Sequence, residues 1–384
     1  MLSYNTKIGS FCATNKDWQE ILSAEPYCLK IKEDKDYIIF NYDQIRSDFN
    51  NPMVREARGI IFKKDNWTYP VCWAFNKFGN YVESYIPDIN WDTAFVTEKI
   101  DGSLIKVWYD DTWHISTNGT IDAYMAELND IKMPNFGSYF KVAVEKYYDE
   151  IESFFCILNP DLTYMFELVG PYNRVVIPYD ELDVYFLGAR NKITGEEFTF
   201  ADVQFQDSIK FKRPKVFPLI SLEDCIKVSK NLSWNQEGFV VSDSTFNRVK
   251  IKSPAYVLAH FMRTTNVITR KHLIRVVLEN EVEEFLCYAS DYKDSLLETQ
   301  KLMRAYLNIG NKLISACRLM IDKISRADYA RLVKALPKIY QGLLFYNYDH
   351  NATAEDYTSG WSENKWEECL EAFEMLKQEI IESD

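Results

Sequence analysis

One change of periodicity, at Pro254, constrains the fold of this chain more than any other feature. Up to Ser253, short β-prone runs alternate with turns bearing Gly, Asp and Asn; beyond Pro254, apolar residues recur at helical spacing. Leu296, Met303, Tyr306, Leu307, Leu313, Ile314, Cys317, Ile321 and Ile324 fall on one helical stripe. Ser325 reads as the N-cap of a helix running to Leu336, and Trp366–Ile381 as a last amphipathic helix. The expected architecture is therefore α+β with antiparallel sheets over residues 1–253, then an all-α domain over 254–384. Two domains also suit a chain of 384 residues, because single cores stop growing before about 300.

Composition removes several classes. With 47% hydrophobic and 15% aromatic residues the chain is unlike a disordered protein. No run approaches the roughly 18–20 apolar residues of a membrane span, and Met1–Lys7 is not a signal peptide. A soluble cytoplasmic protein is expected, with no membrane and no obligate protein partner. The eight cysteines form no C-x-x-C pair, so buried thiols rather than a zinc site are expected. His114, His260, His272 and His350 have no metal-ligand or triad spacing and read as structural. A net charge of −13 opposes indiscriminate nucleic-acid binding. The charge is unevenly spread, however. Between residues 301 and 340 nine bases (Lys301, Arg304, Lys312, Arg318, Lys323, Arg326, Arg331, Lys334, Lys338) face only Asp322 and Asp328, enough for a local phosphate-binding face.

The chemistry concentrates in the first part. Glu98-Lys99-Ile100-Asp101-Gly102-Ser103 lies between the apolar run Ala94–Thr97 and a hairpin in which Ile105, Val107 and Tyr109 alternate with Lys106 and Trp108 before Asp110-Asp111 turns the chain. A lysine in a strand-rich core needs its charge paired or removed, and one made partly neutral can act as a nucleophile. The same stretch also suits a snorkelling lysine followed by a turn. Glu167, in Phe166-Glu167-Leu168-Val169-Gly170, and Glu237, in Glu237-Gly238-Phe239-Val240-Val241, sit inside apolar strands, where a carboxylate needs a partner. Val249-Lys250-Ile251-Lys252 puts two lysines on one strand face, either a solvated edge, a salt-bridge partner for the glutamates, or a cationic site. Helices are expected at about Trp18–Leu22, Ile121–Ile131 and Ser138–Leu158, and strands at Tyr37–Tyr42, Thr163–Val169, Arg174–Ile177 and Asp183–Arg190.

Upstream, Arg55–Phe62 contains Arg58-Gly59, and Ala74-Phe75-Asn76-Lys77-Phe78 carries a lysine between aromatics. In order and spacing these segments resemble the covalent nucleotidyltransferase superfamily of ATP-dependent ligases and mRNA-capping enzymes. Within it they most resemble the RNA ligase family typified by the T-even phage enzyme, over roughly residues 37–260. The resemblance implies that residues 1–253 form an adenylation domain that uses ATP with Mg²⁺, or Mn²⁺ in its place, for RNA repair. Lys99 would take AMP from ATP and pass it to an RNA 5′-phosphate, and a 3′-hydroxyl would then expel AMP. Lys250 and Lys252 would disfavour protonation of Lys99 and stabilise charge on the α-phosphate. Glu167 and Glu237 would bear on ribose and metal, and Tyr42, Arg58 and Lys77 would face the phosphates.

Val240 would form the apolar floor under adenine, and Tyr185 or Phe186 would either stack on the base or belong to the core. Asn118-Gly119 departs from the pattern, because phage ligases carry a basic residue before that glycine; Asn118 can hydrogen-bond a phosphate but brings no charge. The helical domain is expected to select RNA ends, single-stranded or tRNA-like. A capping guanylyltransferase or a DNA ligase shares the K-x-D-G logic, but both append an OB-fold where this chain reads as helical. A non-catalytic nucleotide- or RNA-binding protein is the remaining alternative, opposed by intact Lys99, Glu167, Glu237, Lys250 and Lys252.

Overall fold

The β-prone runs become twelve strands in the computed structural model, which describes residues 5–128, 130, 132–261, 268–321 and 323–383. Ile131 and Asp322, and the start Met1–Tyr4, lie outside the described residues. In chain order the strands are β1 Lys30–Glu33, β2 Tyr37–Asn41, β3 Arg58–Lys63, β4 Phe95–Glu98, β5 Ser103–Asp110, β6 Thr112–Thr117, β7 Leu162–Val169, β8 Asp183–Asn191, β9 Glu197–Thr199, β10 Val216–Phe217, β11 Gly238–Ser242 and β12 Arg248–Lys252. They form three antiparallel sheets, ordered β1-β2-β3, β10-β4-β11-β12 and β6-β5-β7-β8-β9. Each has its own apolar layer. Ile38, Phe40, Ile60 and Phe62 serve the first sheet; Val96, Phe239, Val241, Val249 and Ile251 the second; Ile105, Val107, Phe166 and Phe186 the third.

The chain divides into two compact units, Met1–His260 and Phe261–Asp384. The second contains helices Arg270–Leu278, Val282–Tyr288, Lys293–Ile321, Arg326–Lys334, Lys338–His350, Ala354–Thr358 and Glu363–Ser383, with no strand among its described residues. Leu296, Met303, Tyr306, Leu307, Ile314 and Cys317 are buried along the long helix, and Tyr306 stacks on Tyr340 at 5.0 Å with the rings 12° apart. The Ser325 hydroxyl accepts from the Asp328 amide and caps the next helix. No helix of the described residues is long and apolar enough to cross a membrane.

Three local expectations fail. The helix expected from Ile121 shrinks to one 3₁₀ turn, Ala123–Met125, because the chain doubles back and Leu128 N–H donates to Pro134 at 2.9 Å. The segment Ser138–Leu158 is two helices, Phe136–Glu145 and Ile151–Phe155. The break between them lets the Tyr147 hydroxyl reach Asp183 at 2.6 Å and that of Tyr148 reach the Ser208 carbonyl at 3.1 Å. Arg174–Ile177 is not a strand, for a reason that lies in the site below.

Candidate active site

Strand alternation builds one wall. In the second sheet the apolar residues Val96, Phe239, Val241, Val249 and Ile251 turn toward the core, so their neighbours Thr97, Val240 and Lys250 share the opposite face; Val240 stands between Thr97 and Lys250 in register. Lys99, two residues beyond Thr97, continues that face, and its amide donates to the Gly238 carbonyl at 2.9 Å. Glu237 would fall on the core side by strict alternation. Gly238 prevents this: its φ is +139°, and a Cβ there would lie 2.1 Å from the Ile251 carbonyl oxygen. Glu237 Oε1 consequently sits 2.8 Å from Lys99 Nζ, with the glutamate side chain only 4% exposed.

The other Glu237 oxygen, Oε2, is buried and accepts no hydrogen bond. Burial pushes this carboxyl above its usual range, opposed by the charges of Lys99 and Lys252. Glu167 enters from β7 in the third sheet. Burial pushes its carboxyl up to about 7, with Lys99 and Arg58 opposing and Glu237 and Asp101 reinforcing the rise. Lys99, Glu167, Glu237, Lys252, Arg58 and Asp101 thus form one electrostatic cluster assembled from several strands. Two carboxylates, one with an uncommitted buried oxygen, suit a divalent cation's hydration shell.

Asp101 has no role legible in the sequence. Its Oδ2 accepts from the amides of Val176 and Ile177 at 2.9 and 2.7 Å, and its Oδ1 from the Tyr256 hydroxyl at 2.7 Å. Those amides are therefore spent on a carboxylate rather than a ladder, which is why Arg174–Ile177 forms a loop. The register also separates Tyr185 from Phe186. Phe186 is fully buried in the third sheet's core, whereas half-buried Tyr185 stands opposite Glu167 and shares its face.

The remaining candidates form neighbouring groups. Lys77 Nζ lies 5.1 Å from the ring centres of both Tyr42 and Phe49, and its amide donates to the Arg55 carbonyl at 2.8 Å. Among the described residues no hydrogen bond or ion pair joins Lys77 or Tyr42 to Lys99 or Glu237. The segment after Lys77 reaches β12, where Lys250 N–H donates to Gly79 and Tyr81 N–H to Lys250. Arg58 packs over Phe78, its guanidinium 5.2 Å from the ring centre, and its Nη1 is buried without a hydrogen-bond partner. Asn118 follows β6 and meets the start of β3 at Gly59, with its Oδ1 also buried and unpaired. Among the histidines, His114 stacks on Trp108 at 4.2 Å and His272 closes a capping box with Thr269, both structural tasks.

A family model described as RNA ligase matches residues 56–256, more than half of the chain and all of the Lys99 cluster. The chain belongs to the RNA ligase family. It is 28% identical over 339 residues to a protein of Autographa californica nuclear polyhedrosis virus named for bifunctional polynucleotide kinase/RNA ligase activity, covering 82% of this chain and 46% of that protein. The chain thus spans less than half the length of that relative. An RNA ligase of Rhodothermus phage RM378 is 25% identical over 328 residues, covering 70% of this chain and 73% of the phage protein. An archaeal ATP-dependent RNA ligase of known structure superposes with a TM-score of 0.45 at 14% identity, over 75% of this chain and 76% of that one.

Two outcomes follow from the geometry. Gly238→Ala, strained both by φ and by the Ile251 carbonyl, is expected to lower the thermal midpoint by about 5–10 °C; an unchanged midpoint would show that β11 accommodates a Cβ. Glu167 titrates near 4.5 when unfolded and about 7 when folded, so across that window the folded protein holds a proton that the unfolded chain has released. Stability in the absence of ligand should fall as pH rises from 5 to 8. Urea unfolding of Glu167→Gln should show a smaller fall than wild type, and equal falls would assign the pH dependence to another group.

Proposed function

We propose that this chain is an ATP-dependent RNA ligase that joins a 5′-phosphate to a 3′-hydroxyl through lysyl-AMP and RNA-adenylate. The observation that carries this is the Lys99–Glu237 pair at 2.8 Å, with Lys252 acting on Glu237 and one glutamate oxygen uncommitted. Free lysine, with a pKa of about 10.4, is protonated and inert at neutral pH. Glu237 is the adjacent acceptor for that proton, and a carboxyl pushed up by burial is the better base for it. Lys99 Nζ then attacks the α-phosphorus, the bond to the bridging oxygen of the β-phosphate breaks, and pyrophosphate leaves. Lys252 and Lys250 offset the negative charge that develops on the α-phosphate. In the second transfer the P–N bond to Lys99 breaks as the RNA 5′-phosphate takes AMP; in the third the 3′-hydroxyl displaces AMP.

Mg²⁺, or Mn²⁺, would neutralise the triphosphate, with Glu167 and Glu237 as the residues placed to hold its hydration shell. Tyr185 would stack on the base above Val240, while Arg58, Lys77 and Tyr42 would receive the phosphates. The capping alternative is disfavoured by the absence of strands among the described residues of Phe261–Asp384. RNA selection is assigned to the helical unit, in the cytoplasm.

Incubation with radiolabelled ATP or GTP and Mg²⁺, followed by denaturing electrophoresis, tests the reaction. Label from ATP alone is expected; label from GTP alone would indicate a capping enzyme. Lys99→Ala should cut labelling by more than about 1,000-fold yet still seal RNA that is already 5′-adenylylated, because the last step uses no lysine nucleophile. Normal labelling of this variant would mean that another residue attacks.

The helical unit's bases are not equally available. Arg326 pairs with Asp349 at 3.0 Å and Arg331 with Asp328 at 3.1 Å, whereas Lys301, Arg304 and Lys312 are exposed on one face of the long helix. Reversing those three to Glu should weaken RNA binding and flatten its salt dependence by about 2 in log–log slope. An unchanged slope would move the RNA path elsewhere. Lysyl-AMP formation in the same variant should be unaffected.

A further inference from the structure

Lys106 is a charge that the chemistry above does not use. It lies in mid-β5, fully buried at 0% exposure, and its ammonium donates a hydrogen bond to the Gly59 carbonyl. No carboxylate pairs with it among the described residues; its titratable neighbours are the buried Cys72 thiol, which burial keeps neutral, and the charged Arg58 guanidinium. Burial, with Arg58 adding to it, pushes the ammonium below the ordinary lysine range. A buried cation without an acid partner is costly, and holding one carbonyl does not need a charge.

The surroundings suggest what the charge serves. Gly59 has φ +70°, and a Cβ there would lie 2.6 Å from Lys106 Nζ, 2.5 Å from the Asn118 carbonyl oxygen and 3.2 Å from Asn118 Oδ1. Lys106, Arg58 and Asn118 therefore meet around a single backbone position. Two of them bring buried polar atoms with no partner, Arg58 Nη1 and Asn118 Oδ1. Arg58 in turn acts on Glu167, which acts on Lys99. The start of β3 is thus a margin of the Lys99 cluster with two positive charges and no negative one in direct contact.

We propose that Lys106 is a positioning residue for the polyphosphate tail of the bound nucleoside triphosphate. It donates to the Gly59 carbonyl and supplies, from behind the bulged start of β3 at Arg58-Gly59, the positive charge that Asn118 lacks. This rests on the ligase reading above. A charge in a water-excluded site acts more strongly across a few ångströms than one in solvent, so Lys106 need not touch the phosphate. The arrangement costs stability in the free protein and is offset when an anion arrives. A strut would behave in the opposite way, stabilising the free protein and having no preference for the triphosphate over AMP.

Calorimetric titration with ATP and with AMP separates the two roles. It is done in a Lys99→Ala background, so that the result does not depend on any covalent step. Adding Lys106→Met should weaken ATP by about tenfold or more while leaving AMP within about twofold, with a thermal midpoint no lower than that of the parent. Asn118→Lys in the same protein should restore ATP affinity by returning the charge from the other side of Gly59. Unchanged ATP affinity overturns the proposal. So does parallel loss of ATP and AMP with a lower midpoint, or failure of the parent to bind ATP. If Lys106→Met does not fold, Asn118→Asp takes its place: a carboxylate beside Lys106 and Arg58 should weaken ATP selectively, and equal ATP binding overturns the proposal. Absence of lysyl-AMP in the wild type, by contrast, would count against the ligase reading while these titrations still report on the tail.

Discussion

The pair formed by Lys99 and Glu237 is the interaction around which the first unit is arranged. A carboxylate only 4% exposed is costly unless a cation meets it, and the cation must reach it from another strand. Three local features make that meeting possible. Gly238 turns Glu237 off the core side of β11, the Lys99 amide holds the Gly238 carbonyl, and Asp101 anchors the loop beyond Lys99 to Val176, Ile177 and Tyr256. Each of the three is a backbone constraint rather than a packing preference. Loss of any one would leave apolar cores intact and the charges misdirected.

The pair is also deliberately incomplete. Glu237 Oε2, Arg58 Nη1 and Asn118 Oδ1 are three of the buried polar atoms that have no partner among the described residues. Their proximity to one cluster of charged residues gives them a common physical reason. On the proposed reaction, a site for a polyanion and its cation would keep donors and acceptors in place beforehand, so that little reorganisation remains when charge develops. The free protein is then less stable than its apolar layers alone would make it.

Much of this was legible in the sequence because strands report their faces. Lys250 and Lys252 could be assigned to one face from alternation alone, and Glu167 and Glu237 stood out as carboxylates in apolar runs. Faces whose burial depends on a second sheet were not legible. Lys106 and Trp108 alternate with Ile105, Val107 and Tyr109, a pattern that suggests an outward side; both are instead fully buried, because Ile39, Ile61, Val71 and Cys72 cover Trp108 from the first sheet's side. Tyr185 and Phe186 could not be told apart without the register against β7. Arg174–Ile177 has strand composition, but its amides go to a carboxylate more than seventy residues earlier in the chain.

The same distinction explains how a chain of net charge −13 can be read as a nucleotide and RNA enzyme. Net charge governs long-range attraction, which salt screens over about 10 Å. Binding of a triphosphate is decided within a few ångströms, by the charges that water does not screen. Around Lys99 those are Lys252 and Arg58 on the cationic side, against Glu167, Glu237 and Asp101, whose protonation or hydrogen bonding limits their repulsion. The surface acids lie in solvent, where their influence on the site is weak. A net acidic exterior therefore opposes indiscriminate nucleic-acid binding without weakening the buried site.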